Sequence, residues 1–312
     1  MPKATREAFG ETLVELAEKF PNLTALDADL SHSVMTAAFA AKYPQRHWQF
    51  GIAESNMIGA AAGLALSGKI PVCASFACFL AGRLETIRAA VMLNGANVKL
   101  VGTHAGLGIG EDGASQMGLE DIGALRSLPG LTILQPADAI ETRQAVEWML
   151  GHPGPVYLRL ARQKVEEVHK PDYRFELSKP DVIWEPEPKH CQATIFASGG
   201  TVGPALAAAK GLLDKGFSIR AVNVATLAPF DADSIENFAK DSERLVTVED
   251  HNVIGGLGSA ISEAAAGLGL GIPVVALGVR SFGESGKAAE LYERHGLSAS
   301  HIMDACLRGV RS

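Results

Sequence analysis

Aromatic residues make up only 6% of this 312-residue chain, and cysteines number four. So few aromatics, beside 33 glycines and 47% hydrophobic residues, argue against an all-β sandwich and for tightly packed α/β architecture. Cys73, Cys78, Cys191 and Cys306 form no CxxC pair and show no metal-ligand spacing. That excludes a zinc-finger framework and leaves reduced, mostly buried thiols in a cytoplasmic protein as the expectation. No lysine- or arginine-rich run offsets the formal net charge of −7, which argues against a nucleic-acid partner. No apolar run approaches the ~20 residues of a membrane span. The amphipathic start "MPKATREAFGETLVELAEKF" lacks the apolar core of a signal peptide. Walker A, GxSxG and HExxH motifs are absent too.

What is present is alternation. Strand-like runs at Leu23–Leu26, Ile70–Phe76, Val98–Thr103, Leu131–Leu134 and Val156–Leu160 are interleaved with helical patterns at Ile52–Leu66, Arg83–Leu93, Leu119–Leu125 and Ala139–Leu150. This predicts an α/β fold, a mostly parallel sheet covered by helices on both faces. From Gln163 to Gln192 the chain turns charged and proline-bearing, without sustained periodicity, as a linker does. A second alternation starts at "ATIFASGG", continues through "FSIRAVNV", "RLVTVE" and "IPVVAL", and ends in a helix near Ala299–Leu307. The expected division is an α/β domain over residues 1–165, a linker over 166–191 and a smaller α/β domain over 192–312, in keeping with roughly 150 residues per domain.

Within this frame one charge is out of place. Glu54 is the only charged residue in "QFGIAESNMIGAAAGLALSG", just ahead of an apolar helix, and an ionised carboxylate in apolar surroundings is costly unless paired or hydrogen-bonded. The stretch Gly108–Gly113, "GIGEDG", matches GxGxxG, but Glu111 and Asp112 would repel a pyrophosphate, so a glycine-rich loop shaping a substrate pocket is the better reading. The surrounding loop "THAGLGIGEDGASQMGLED" carries His104, Asp112, Ser115 and Gln116 with few core-forming residues. His104 is either a satisfied structural histidine or a ligand residue past a strand's carboxyl end. Phe76 and Phe79 in "SFACFLAGR" flank another strand end, as core or as a stacking surface. Arg162 in "YLRLARQ" is either solvated or a phosphate clamp. "TVEDHNVIGGLG" is more polar than packing needs, which suits a subunit contact or a pocket edge.

Taken together, "LDADLSHS", "FGIAESNM", "SFACF", "GIGEDGASQMGLED", "LRLAR" and "TVEDHNVIGG", in this order and spacing, resemble the C-terminal half of a transketolase. The resemblance spans nearly the whole chain and implies a pyrimidine-binding domain followed by the small C-terminal domain of that family. It implies thiamine diphosphate as cofactor. Glu54 would contact N1′ of the aminopyrimidine and favour the imino tautomer that takes the thiazolium proton, with Phe79 and nearby Phe76 as the aromatic wall. Asp29 and Gln116 would lie on the cofactor side, while Ser33, His104, Asp112 and Arg162 would hold a sugar phosphate. Gln116 stands where many bacterial and yeast members carry His and animal-type enzymes carry Gln. Near Gly82 an aromatic often found in the family is missing. The chain holds no "GDG" motif with a downstream Asn, the family's holder of Mg²⁺ (or Ca²⁺ or Mn²⁺) and the diphosphate. The resemblance therefore implies a split enzyme, in which an N-terminal subunit supplies that domain, an α2β2 assembly forms, and the lone chain is inactive. Rival readings are the beta subunit of a 2-oxo acid dehydrogenase, deoxyxylulose-phosphate synthase and a non-catalytic scaffold subunit.

Overall fold

Strand formation follows the buried apolar runs. In the computed structural model, which describes residues 2–187 and 190–308, the strands are β1 (Lys3–Ala4), β2 (Leu23–Asp27), β3 (His47–Gln49), β4 (Ile70–Phe76), β5 (Lys99–Thr103), β6 (Thr132–Leu134), β7 (Val156–Arg159), β8 (Lys164–Val165), β9 (Asp181–Trp184), β10 (Ala193–Ala197), β11 (Ile219–Asn223), β12 (Thr226–Ala228), β13 (Leu245–Asn252) and β14 (Val274–Val279). The expected domain ends at residues 1 and 312, and residues 188–189 of the expected linker, lie outside the described residues. β2, β5, β10 and β11 are buried along their whole length, as strands enclosed by helices on both faces must be.

The larger sheet has the order β12-β6-β7-β5-β4-β2-β3 and is parallel except at its β12–β6 edge. The smaller has the order β14-β13-β10-β11-β9 and is parallel except at β9. β1 and β8 form a two-residue antiparallel ladder. The fold class is therefore α/β with two mostly parallel sheets. No helix among the described residues is long and apolar enough to cross a membrane.

Three local features differ from the periodicity. The stretch expected as a linker contributes β9, an edge strand on β11. Four residues, "DVIW", are too short for a period to register. β12, from the second alternation, pairs back onto β6 in the larger sheet, a long-range choice that local sequence does not encode. The helix expected over Arg83–Leu93 is a short helix, Leu84–Thr86, followed by a π-helical turn, Ile87–Met92. Asn94 closes that turn by donating to the carbonyls of Ala89 and Ala90. The two apolar clusters each draw on both sheets: Phe9, Val101 and Ile195 share one, Leu26, Tyr157 and Phe196 the other.

Helix Thr5–Leu16 buries Ala8, Phe9 and Leu13, and Glu7 accepts the Ala4 N–H at its start. Helix Ala139–Gly151 is capped by the Asp138 side chain, which accepts the Glu141 N–H at 2.9 Å. Asp138 also anchors the chain beyond Arg162. Its Oδ2 is 2.9 Å from His169 Nδ1, while His169 Nε2 lies 3.4 Å from Asp181 Oδ2 and 3.9 Å from Glu141 Oε1. Asn223 on β11 donates to both oxygens of Glu141, so the cluster ties helix Ala139–Gly151 to the smaller sheet.

Burial opposes charge on His169, but the bonds to Asp138 and Asp181 and the charge of Glu141 win, raising its pKa from 6.5 to about 10. The folded state therefore keeps a proton that the unfolded state gives up between these values. The stabilisation is complete below pH 6.5 and fades as pH rises toward 10. Lys99 acts in the opposite sense: burial pulls it down to about 7, although its ammonium donates to the carbonyls of His152 and Gly154. Chemical denaturation of the wild type and His169→Gln separates the two contributions. Their stability difference is expected to shrink by a few kcal/mol between pH 6 and pH 10. A pH-independent difference would rule out a charged His169.

Candidate active site

Parallel sheets gather ligand-binding residues beyond the carboxyl ends of their strands. Here β7, β5, β4, β2 and β3 are neighbours in one sheet, and every residue singled out from the sequence follows one of them. Asp29 and Ser33 follow β2, Glu54 follows β3, Phe76 and Phe79 end and follow β4, His104, Asp112 and Gln116 follow β5, and Arg162 follows β7.

Glu54 opens helix Glu54–Leu66 and is 5% exposed. Its position at the helix N-terminus favours negative charge. The Ser75 hydroxyl donates to Oε1 at 3.2 Å and is its sole hydrogen-bond partner among the described residues. A buried carboxylate with one long neutral hydrogen bond has acceptor capacity left over.

The Glu54 partner Ser75 is followed by Phe76, the end of β4 and a member of an aromatic stack. Phe76 lies between Phe79, at 5.5 Å between centroids and 8° between planes, and His104, at 3.9 Å and 22°. Phe76 is buried and Phe79 half-buried, so Phe79 is the outer ring of the stack. Phe76 backs Phe79 rather than standing beside it as a second exposed wall.

His104 has φ 56°, an uncommon backbone for a non-glycine residue. Arg6 Nη1 is 3.3 Å from its Nε2. A guanidinium only donates, so Nε2 accepts, and Nδ1–H donates to Thr103 Oγ1 at 2.9 Å. The Thr103 hydroxyl donates in turn to the Ser75 carbonyl at 3.4 Å. Burial first, then the charges of Arg6 and Arg162, pull His104 down to about 3. The imidazole is neutral throughout the physiological range, a hydrogen-bonding group and not a cation.

The charge at this end of the site belongs to the arginines. Arg6 also donates to the Ser33 carbonyl at 2.7 Å, and burial together with the charge of Arg162 lowers its pKa. Arg162 donates to the Ile109 carbonyl at 2.6 Å and lies 3.7 Å from Glu111. Two cations that disfavour each other's charge form a place where an anion is stabilised. Asp112 is exposed on the same loop and is felt electrostatically by Arg6. Gln116 is half-buried, and its carbonyl accepts from the Cys78 thiol.

Asp29 is exposed with φ 63°, and its N–H donates to Gln49 Oε1 at 2.7 Å. The loop from residue 28 to 36 is shaped from below by Asp27. This buried carboxylate accepts from Ser31, Thr36, Gln49 and His47. Burial would raise its pKa, but the bonds from His47, Thr36 and Ser31 outweigh that, and the net direction is down. Asp27 stays ionised as a positioning group.

The structure thus gathers two linked groups: Glu54 with the Phe79–Phe76 stack, and Arg6, His104, Ser33 and Arg162 at the far side of that stack. Arg6, Asp27 and Ser75 were not foreseen. Arg6 sits in the first turn of an amphipathic helix, where an arginine ordinarily faces water. Asp27 had a legible signal, a charge ending the mostly apolar run "LTAL".

The residues singled out from the sequence sit at or beyond the strand ends of a mostly parallel α/β sheet. The pyrimidine-binding domain of transketolase matches residues 1–167 and the transketolase C-terminal domain matches residues 184–302. A Methanocaldococcus jannaschii chain named as a transketolase C-terminal section is 42% identical over 304 residues, covering 96% of this chain and 94% of that one. Human transketolase is 35% identical over 309 residues, 98% of this chain but 49% of its own length. A solved structure described as a split-gene transketolase, an inactive β4 tetramer, superposes with a TM-score of 0.90 at 42% identity, covering 98% of each chain. The chain belongs to the transketolase family.

Proposed function

We propose that this chain is the C-terminal subunit of a split transketolase, moving a two-carbon ketol unit from a ketose phosphate to an aldose or aldose phosphate. The observation that carries the reading is Glu54: a buried carboxylate whose single neutral hydrogen-bond partner among the described residues is Ser75, the residue before Phe76 of the Phe76–Phe79 stack. That arrangement fits a flat aminopyrimidine, stacked on Phe79 and hydrogen-bonded through a ring nitrogen. When bound, thiamine diphosphate supplies the electron sink for breaking the carbon–carbon bond next to the ketose carbonyl. Glu54 holds the proton at pyrimidine N1′. Phe79, backed by Phe76, sets the plane of that ring, and Asp29 and Gln116 complete the cofactor side. Arg6 and Arg162 hold the substrate phosphate, and the Ser33 hydroxyl hydrogen-bonds to it. Neutral His104 orients Arg6 through its Nε2 acceptor rather than donating to the phosphate itself, and Asp112 reads a sugar hydroxyl.

The diphosphate and its divalent metal are held mainly by an N-terminal subunit, and the working assembly is α2β2. Two facts support this division: the chain corresponds to 49% of human transketolase, and the similar split-gene structure is described as an inactive β4 tetramer. Helix Glu54–Leu66 supplies an open face for such packing. Ile52 is 86% and Leu66 65% exposed, and a Cβ added at Gly59 or Gly63 would meet nothing within 4 Å. We place the enzyme in the cytoplasm, where thiols such as Cys73, Cys78 and Cys306 stay reduced. Among the rival readings, none matches an anion site next to an intact carboxylate as well.

Two experiments test the reading. In the reconstituted enzyme, Arg6→Gln should raise KM for a phosphorylated ketose about 10-fold or more, the scale of a lost charge-assisted bond, and change an unphosphorylated donor little. Equal effects on both donors would remove Arg6 from the phosphate site. Gly63→Leu should leave the lone subunit as stable as wild type or more so, since it removes a helix glycine worth about 1 kcal/mol, while abolishing co-elution with the N-terminal subunit. Normal assembly would place the interface elsewhere.

A further inference from the structure

The glycine-rich loop after β5 resembles an anion cradle, and in this structure the cradle is full. The anion in it comes from the other sheet. Asp250 on β13 is 3% exposed, and its Oδ1 accepts the Leu107 N–H at 2.7 Å. Its Oδ2 accepts the Gly108 N–H at 3.4 Å and the Tyr292 hydroxyl at 2.7 Å. Tyr292 accepts from the Gln163 amide at 2.8 Å, one residue beyond Arg162.

The fit is close enough to dictate residue types. Gly106 has φ 78°, and a Cβ there would stand 2.1 Å from Asp250 Oδ2. A Cβ at Gly108 would stand 1.9 Å from Gln163 Oε1. The glycines of "GLGIG" thus let the backbone close over a carboxylate and an amide, and a bound pyrophosphate has no place in that turn.

We infer that Asp250 is a positioning residue for the reaction. From the second domain it fixes the conformation of the loop segment that presents Asp112 to the substrate. The inference rests on the proposed reading that this loop faces the sugar. It also gives the second domain a task at the active site. Asp250 forms no described contact with Glu54, Phe76 or Phe79, so it acts on the substrate side and not on the cofactor's pyrimidine. Burial raises the pKa of Asp250 against the opposing charge of Arg159, and the three partners named above, Leu107, Gly108 and Tyr292, define its geometry independently of that.

Asp250→Asn and the milder Tyr292→Phe, each in the reconstituted enzyme, test the inference. Hydrogen exchange of amides 105–116 is expected to rise about 10-fold or more in Asp250→Asn, and less in Tyr292→Phe, with the amides of β4 and β5 unchanged. KM for the donor should rise at least 10-fold, while thiamine diphosphate affinity, read by fluorescence quenching, stays within 2-fold. Unchanged exchange in the loop overturns the inference, as does a loosened loop with unchanged donor KM. A uniform rise in exchange across both sheets also overturns it, because Asp250 would then be a stability residue only. If the wild-type assembly itself transfers no ketol unit, the proposed function fails, and this shows in the control before either variant is read.

Discussion

Replacing Glu54 with Gln should reduce ketol transfer by the reconstituted enzyme by about 10²- to 10⁴-fold, the range of positioned acid–base groups. The amide preserves shape and keeps an acceptor for the Ser75 hydroxyl, which donates to Oε1 in the wild type. What it cannot do is hold a titrating proton at a pyrimidine nitrogen. The structural cost is small: a negative charge at a helix N-terminus is worth about 0.3–1 kcal/mol, so the melting temperature should drop by a few degrees at most. Loss of activity with retained stability and assembly separates a proton-holding role from a packing role. Unimpaired transfer by Glu54→Gln would remove the residue from the chemistry and favour the scaffold reading.

The second large effect concerns stability. Arg159 and Asp121 form a wholly buried pair, Nε to Oδ2 at 2.8 Å, with side chains 2% and 0% exposed. Tyr157 donates to the same oxygen at 2.7 Å, and Asp121 Oδ1 is buried without a hydrogen-bond partner among the described residues. Arg159 Nη2 reaches the carbonyls of Gly118 and Asp250, so the pair ties the end of the glycine-rich loop to β13. Removing one partner leaves an uncompensated buried charge. Arg159→Met should therefore cost about 3–5 kcal/mol in urea denaturation. The double variant Arg159→Met with Asp121→Leu should recover much of that loss, since a buried pair often does no better than an apolar replacement. A loss under about 1 kcal/mol in the single variant would show that water reaches the pair.

Several features were legible in the chain itself because they rest on local physics. Ile70–Phe76 reads as a buried strand from its apolar run and is β4. Ala139 onward reads as a helix, and Asp138 caps it. Glu54 was conspicuous as the lone charge in an apolar setting, and burial is what the structure shows. What local pattern could not supply is which strands lie side by side. That β7, β5, β4, β2 and β3 are neighbours decides that residues from 29 to 162 converge, and this depends on long-range pairing. The same limit hid Arg6, whose partners Ser33 and His104 lie 27 and 98 positions away. It also hid Asp250, bound to Leu107 across 143 positions. "TVEDH" looked too polar for packing alone, yet only the fold shows that its Asp250 fills the glycine turn of another domain.

The most direct measurement is donor consumption at fixed thiamine diphosphate and Mg²⁺, with a ketose phosphate and an aldose phosphate, for this chain alone, for the N-terminal subunit alone and for the two mixed. The result expected is no turnover by either subunit alone and turnover on mixing that saturates near equimolar ratio. Turnover by this chain alone, or a mixture as silent as its parts, would contradict an active site shared between two subunits.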